Sequence, residues 1–253
     1  MIQVKTFFAY NELRNYSYLL YEDTTGDAWV IDPYEANPMI KYIKENSLVL
    51  KGILNTHRHF DHIRGNQPLQ EAFKSPVKSL MDADQIILNP QFMLETLDTP
   101  GHTMDHQVFI LKENNQTRAL FSGDTLFNSG VGNCKNGGNV DQLYQTTRKL
   151  ITTLPDETLL YPGHDYAEKN LEFALTFEPE NANIREGIRK VKAQDVALRE
   201  PSKLGSEKMV NPFLRLTSPE LRQRFIKDIK ALDDTADIER NLFQTIRALR
   251  DKW

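Results

Sequence analysis

Through the first two thirds of the chain, apolar residues fall in short runs broken by polar turns. The runs at residues 2–8, 17–22, 28–32, 52–57, 106–112, 118–124 and 158–164 are rich in β-branched and aromatic side chains and predict strands. Between them, residues 36–46 and 139–153 carry apolar positions at helical spacing, so this part reads as α/β. From Tyr166 onward the pattern becomes that of amphipathic helices with no intervening strand. Ile184, Ile188, Val191 and Leu198 form one apolar stripe, and a loop containing Pro201, Gly205 and Pro212 ends that helix. Ser218 before Pro219 reads as a cap and first turn. Ile238, Leu242, Phe243, Ile246 and Leu249 give the apolar face of a last helix running almost to Trp253. The expected organisation is therefore an α/β domain over residues 1–165 and a helical domain over 166–253, with no internal repeat.

Composition narrows the function classes. Of 253 residues, 40% are hydrophobic and 26% charged, ordinary for a globular protein. With 31 basic and 35 acidic residues the net charge is −4, which gives no electrostatic reason to bind nucleic acid. Cys134 is the single cysteine, which excludes an intramolecular disulfide and a cysteine-built zinc site and fits a reducing compartment. The start of the chain has no basic segment followed by an apolar run, and no stretch of about eighteen apolar residues occurs, so a cytoplasmic protein without a membrane span is expected. A monomer or weak homo-oligomer is the expected state.

Chemistry concentrates in one stretch. Residues Thr56-His57-Arg58-His59-Phe60-Asp61-His62 place three imidazoles and a carboxylate within six residues at the end of a strand. Imidazole and carboxylate suit zinc, iron or manganese, and this many in one short loop can surround two ions. Later loops bring His102 (in TPGHT), Asp124 (in FSGDTLF) and His164 (in YPGHDY), each after an apolar run. A lone histidine after a strand is usually a surface or core residue. Here, however, all six histidines lie between 57 and 164 and the last 89 residues contain none. His106 lies four residues after His102 but opens a strand-like run rather than a helix, so a supporting role is expected for it.

The spacing His57-x-His59-x-Asp61-His62, followed in order by His102, Asp124 and His164, resembles the hallmark of the metallo-β-lactamase superfamily. Within it the chain is similar to the glyoxalase II (hydroxyacylglutathione hydrolase) family, through TPGHT, FSGDTLF, YPGHDY and NPFLR at 211–215. The resemblance implies a four-layer αββα sandwich followed by a helical substrate-binding domain. It also implies two divalent ions, with zinc favoured and iron or manganese as alternatives. His57, His59 and His102 would hold one, Asp61, His62 and His164 the other, and Asp124 both, with Asp32 of the VIDP segment supporting the ligands from behind. Two ions sharing a hydroxide would attack a thioester carbonyl, with Asp61 and Asp124 as the catalytic carboxylates. Because a thiol has a pKa near about 8.5, its departure needs little acid assistance, and no Ser-His-Asp arrangement is required. The implied reaction is hydrolysis of an S-(2-hydroxyacyl)glutathione, S-lactoylglutathione above all, as the second step of methylglyoxal removal.

Substrate contacts implied by the resemblance are Arg247 and Arg250 in the last helix, Tyr166 and Asn170 after YPGHD, and Lys135. Two arginines three apart are otherwise an ordinary solvated helix face; guanidinium groups also clamp carboxylates. The run after Asp124, FNSGVGNCKNGGNVDQLY, departs from the family: Asn133, Cys134 and Lys135 replace its usual basic and aromatic contacts, and the loop is about one residue longer. That departure opens a different thiol carrier, such as polyamine-linked glutathione, as an alternative. An iron-dependent persulfide dioxygenase and a lactonase or β-lactamase on the same scaffold are further alternatives, against which the helical tail speaks. A non-catalytic scaffold protein is disfavoured because the seven ligands are all present.

Overall fold

The computed structural model describes residues 1–225 and 235–253. In chain order the strands are β1 (Ile2–Phe8), β2 (Tyr16–Glu22), β3 (Asp27–Ile31), β4 (Val49–Leu54), β5 (Gln85–Ile87), β6 (Phe92–Asp98), β7 (Gln107–Glu113), β8 (Gln116–Gly123), β9 (Leu126–Phe127), β10 (Gly130–Val131), β11 (Leu159–Pro162) and β12 (Ser202–Lys203). The helices are α1 (Ala36–Glu45), α2 (Phe60–Ile63), α3 (Asn66–Phe73), α4 (Val140–Thr153), α5 (Ala167–Leu175), α6 (Ala182–Ala193), α7 (Leu204–Val210), α8 (Pro219–Arg224) and α9 (Thr235–Arg250). The chain divides into two compact units: Met1–Asp98 with Asp105–Gly123 and Tyr161–Asp165, and Thr99–Met104 with Asp124–Leu160 and Tyr166–Trp253.

In the first unit, one sheet has the order β1-β2-β3-β4, antiparallel except for the parallel pair β3/β4, whose crossover is α1. A second runs β11-β8-β7-β6-β5. Strand β2 shows why the sequence layers this way, because its successive side chains alternate between two dry environments. Leu19 packs with Met39 and Ile43 of α1, Leu69 of α3, Val30 and Ile53 on the outer face. Tyr18 turns the other way, meeting Phe121 of β8 and Tyr161 of β11 edge-on at ring distances of 5.4 and 5.3 Å. Its hydroxyl donates to the Pro162 carbonyl at 2.6 Å, and burial pushes the phenol pKa well up, so it stays a neutral donor. Buried on both faces, β2 therefore reads as a nearly continuous apolar run. The β7–β8 hairpin turns through Asn114 and Asn115, both at positive φ (50° and 64°), the conformation a two-residue turn between twisted strands requires.

In the second unit α4 lies against α9, with Tyr144 edge-on to Phe243 at 5.5 Å and Gln244 donating to Asp141 at 2.7 Å. Helices α5 and α6 pack through Leu171, Ala174 and Ile184. Compactness thus groups residues 124–160 with the tail, whereas the sequence pattern divides the chain at 165/166.

Several tail elements differ from expectation. Helix α6 stops at Ala193, and Leu198 is 76% exposed in a short turn whose start is capped by the Asp195 carboxylate, so it leaves the apolar stripe. Gly205 lies inside α7 rather than in a loop. A strand does interrupt the helices, since Ser202–Lys203 pairs antiparallel with Leu159–Leu160. Ser218 caps α8 as expected, its Oγ accepting from the Leu221 amide at 3.3 Å. On α9, Leu242, Phe243 and Ile246 are buried but Leu249 is 40% exposed, a narrower face than the sequence pattern implies. Among the described residues no helix is long and apolar enough to cross a membrane.

Met39 is fully buried between α1 and the first sheet. Met39→Ala is expected to destabilise the fold by about 2–5 kcal/mol, seen as a lowered urea midpoint. A midpoint equal to wild type would mean that this layer does not carry the stability assigned to it.

Candidate metal centre

The ligand loop is built around one carboxylate. At the end of β3 the chain turns through Asp32 at φ 49°, a left-handed conformation that Asp tolerates better than most residues. The turn is held by the Asp32 amide donating to the Leu54 carbonyl at 3.0 Å. Asp32 is buried, yet its oxygens accept from the Thr56 amide (2.7 Å), the Thr56 hydroxyl (2.6 Å) and His62 Nδ1 (2.9 Å). These bonds seat the residue that opens the histidine loop and a histidine six positions later.

They also fix protonation. His62 Nδ1 must carry its proton to donate to Asp32, so Nε2 presents a lone pair. His164 is fixed in the same way by the Leu13 carbonyl, 2.8 Å from its Nδ1. The two Nε2 atoms stand 3.2 Å apart, and Asp61 Oδ2 lies 3.4 Å from each. Asp61, His62 and His164 thus bring three ligand atoms within 4.8 Å of one another, a donor set suited to a divalent cation. The Thr56 hydroxyl, whose hydrogen goes to Asp32, accepts from His57 Nδ1 at 3.1 Å, leaving His57 Nε2 turned to His59 Nδ1 at 2.9 Å. His106 is buried and stacked on the His57 ring, with centroids 4.9 Å apart and planes 24° apart. Gly123 makes room for this arrangement: a Cβ there would lie 2.5 Å from Thr56 Oγ1 and 2.8 Å from His106 Nε2, and its φ is +48°.

In the second unit, His102 Nδ1 donates to the Asn133 carbonyl at 2.6 Å, so its Nε2 also carries a lone pair, 3.5 Å from Asp124 Oδ2. Imidazole nitrogens with their proton-bearing side anchored, beside carboxylates, are the donors zinc, iron and manganese accept. The residues present fit divalent metal ions.

The tail residues expected at the substrate have defined partners. Arg247, expected to clamp a carboxylate, is instead buried, and its guanidinium donates to the Val131 and Gly132 carbonyls at 2.8 and 3.3 Å and to Asp251 at 3.0 Å. Burial lowers its pKa. It staples the β10 end of the loop. Arg250 is half-buried, lies over the rings of Phe173 and Trp253 at 5.7 and 5.4 Å, and donates Nε to Asn170 Oδ1 at 3.3 Å. Asn170 is buried and donates to the Asn128 carbonyl at 2.9 Å. Tyr166 meets Phe127 edge-on at 5.3 Å. Lys135 is exposed, with Nζ 3.3 Å from the Asp251 carbonyl. Sequence reasoning missed Glu207, a buried carboxylate accepting from the Ser202 hydroxyl (2.6 Å), the Ser129 amide (2.6 Å) and Asn128 (3.0 Å). Burial raises its pKa against these bonds. It also missed the carbonyls of Leu13 and Asn133, which no side-chain pattern reveals.

The family profile described as Metallo-beta-lactamase superfamily matches residues 10–83, and that described as Hydroxyacylglutathione hydrolase C-terminus matches residues 165–253. A hydroxyacylglutathione hydrolase of Polaromonas sp. strain JS666 is 38% identical over 257 aligned positions, covering 96% of this chain and 97% of its own. A cytoplasmic hydroxyacylglutathione hydrolase of Arabidopsis thaliana is 33% identical, covering 94% and 95%. Among solved structures, ETHE1 from Myxococcus xanthus superposes with a TM-score of 0.65 at 26% identity, covering 98% of this chain and 99% of its own. With the two sheets and the helical C-terminal region, these likenesses give the chain the metallo-β-lactamase fold.

Two outcomes are expected here. Asp32→Ala frees the His62 ring and the Thr56 turn, and should lower metal affinity about 10–100-fold, measured as zinc retained after dialysis; unchanged retention would remove Asp32 from the support of the site. Burial pushes the Cys134 thiol up to about 11. Since only the thiolate reacts, alkylation by iodoacetamide should be very slow at pH 7 and accelerate as pH rises toward 11, and rapid labelling at pH 7 would contradict this environment.

Proposed function

The chain belongs to the hydroxyacylglutathione hydrolase family, and from that membership we propose that it hydrolyses S-lactoylglutathione and related S-(2-hydroxyacyl)glutathiones to a hydroxy acid and glutathione. As a member it is a metal-dependent thioester hydrolase. The observation that carries this reading to the residues is the convergence of Asp61 Oδ2 with the lone pairs of His62 and His164, a cation site by donor chemistry. In our assignment His57, His59 and His102 hold one ion, Asp61, His62 and His164 the other, and Asp124 belongs to both. Zinc is the favoured metal, with iron or manganese suited to the same donors. When bound, such ions bring a water's pKa near neutrality and polarise a carbonyl oxygen.

The chain's own residues do the rest. Asp32, Leu13 and Asn133 hold three imidazoles in the ligating tautomer, so no reorganisation is needed when substrate arrives. Asp61 is partly exposed, unlike its histidine neighbours, and its carboxylate is suited to passing a proton to the departing thiolate. We assign residues 166–253, together with Lys135, to the substrate. Arg250, held flat by Phe173, Trp253 and Asn170, presents its remaining donors to the tripeptide carboxylate, with Tyr166 and Asn170 beside it in the same unit. Arg247 serves the same end by holding the 131–132 carbonyls, which makes it a positioning residue. Asn133, Cys134 and Lys135 leave a different thiol carrier as the second reading, because the usual basic and aromatic contacts are replaced there. We place the protein in the cytoplasm, by likeness to its Arabidopsis thaliana relative.

The test is hydrolysis of S-lactoylglutathione by protein of known metal content, beside the same acyl group on other thiols and a β-lactam. Fast cleavage of the glutathione ester that chelation abolishes is expected; preference for another thiol moves specificity to the altered loop, and inactivity on every thioester overturns the function. Asp124→Ala should lower both bound metal and turnover sharply. Arg250→Ala should raise KM about 10-fold or more with little change in kcat, the effect of losing a charge-assisted bond remote from the reacting carbonyl. Equal KM values would reject that contact.

A further inference from the structure

Behind the Asp61–His62–His164 cluster lies the turn between β1 and β2, residues 9–15, which supplies the Leu13 carbonyl to His164 but no assigned metal ligand. Its Asn15 is 1% exposed. Asn11 Nδ2 donates to Asn15 Oδ1 at 2.8 Å, while Asn11 Oδ1 accepts from the Asn15 amide at 3.1 Å. This reciprocal pair settles which end of the Asn15 side chain is oxygen, so its Nδ2 is the end that faces Asp61. Nδ2 lies 2.9 Å from Asp61 Oδ2, the same oxygen that faces both histidines, and 3.5 Å from the Asp61 carbonyl.

The same turn holds the cluster's other end. Leu13 supplies the carbonyl that fixes His164, and Asn15 and His164 form an antiparallel backbone bridge. The Arg14 side chain pairs with buried Asp165, with Nε donating to the Asp165 carbonyl at 3.0 Å, and the Asp165 amide donates back to the Arg14 carbonyl at 3.0 Å. Arg14 takes φ 58° to do so. One turn therefore sets both an imidazole and the carboxylate that meet at the cluster.

We propose that Asn15 is a positioning residue for the ion held by Asp61, His62 and His164, its amide donor aiming Asp61 Oδ2 at the two histidines. Without that donor, Asp61 is free to rotate toward solvent, and the remaining His62, His164 and Asp124 make a weaker site. The turn anchors Asp61 and His164, whereas the bonds of His57, His59 and His102 run to Thr56, to one another and to Asn133, so the effect falls on one of the two ions. The inference rests on the two-ion reading above.

The experiment titrates metal-free protein with zinc against a chromophoric chelator. Wild type is expected to bind two equivalents. Asn15→Asp keeps the shape and the acceptor for Asn11 but replaces the donor with a carboxylate facing Asp61, so it should bind the first equivalent normally and the second about 10–100-fold more weakly. Asn15→Ala should behave likewise, with the far-ultraviolet spectrum of wild type. Asn11→Ala, at a partly exposed position, unlocks the amide without removing it and should weaken the second equivalent by a smaller factor. A second equivalent bound with wild-type affinity by both Asn15 variants overturns the proposal alone, as does equal weakening of both equivalents, which marks a general structural role. Wild type that binds a single equivalent overturns the two-ion reading and the proposal with it.

Discussion

A buried imidazole has two nitrogens, and the fold decides the chemistry of one by what it offers the other. In this chain the decision is made three times by a strong acceptor: the Asp32 carboxylate for His62, the Leu13 carbonyl for His164 and the Asn133 carbonyl for His102. Each accepts a hydrogen bond from Nδ1–H, which turns Nε2 toward the ligand cluster. Most of the local structure serves these three bonds: the left-handed turn at Asp32, the tight turn carrying Leu13, and the loop after β10. Around Thr56 and His106 no Cβ is tolerated at position 123.

Such an arrangement gathers metal-binding donors inside the first unit. Nε2 of His62 and Nε2 of His164 stand 3.2 Å apart beside the Asp61 carboxylate, buried polar groups that the remainder of the first unit must hold together. That unit can do so because its core is deep: Leu19, Val30, Ile53, Met39, Ile43 and Leu69 are all fully buried. A cation bound there would tie the three groups together, so metal binding and folding stability are linked in sign, each strengthening the other.

The parts of this design written in side chains were legible in the sequence, and the parts written in the main chain were not. Strand runs and histidine spacing depend on residue type, and β1, β2, β3, β7, β8 and β11 follow the runs closely, while β4 starts at Val49 and ends at Leu54, three residues ahead of the 52–57 run. β6 escaped notice because Glu95 and Asp98 interrupt an apolar pattern whose inward positions are Phe92, Leu94 and Thr96. The carbonyls of Leu13 and Asn133 have no signature, since any residue supplies one. Arg247 is the opposite case: on a helix it looks like a solvated charge or a ligand contact, while its burial against Val131 and Gly132 depends on a loop 116 and 115 residues away, which helical spacing cannot report.

That division explains how the loop after Asp124 can depart from the family while the ligands stay complete. Toward His102 the loop contributes the Asn133 carbonyl, and toward Arg247 those of Val131 and Gly132. These are backbone groups, so exchanging side chains at 133–135 leaves both attachments intact. Gly132 is the exception: a Cβ there would stand 3.0 Å from His102 Nδ1 and closer still to the Asp124 carbonyl, so backbone approach demands glycine. Side chains at 133, 134 and 135 are therefore free to vary without disturbing these backbone attachments. Selection on substrate and selection on metal therefore act on different atoms of the same few residues, which is how one scaffold changes its substrates without rebuilding its chemistry.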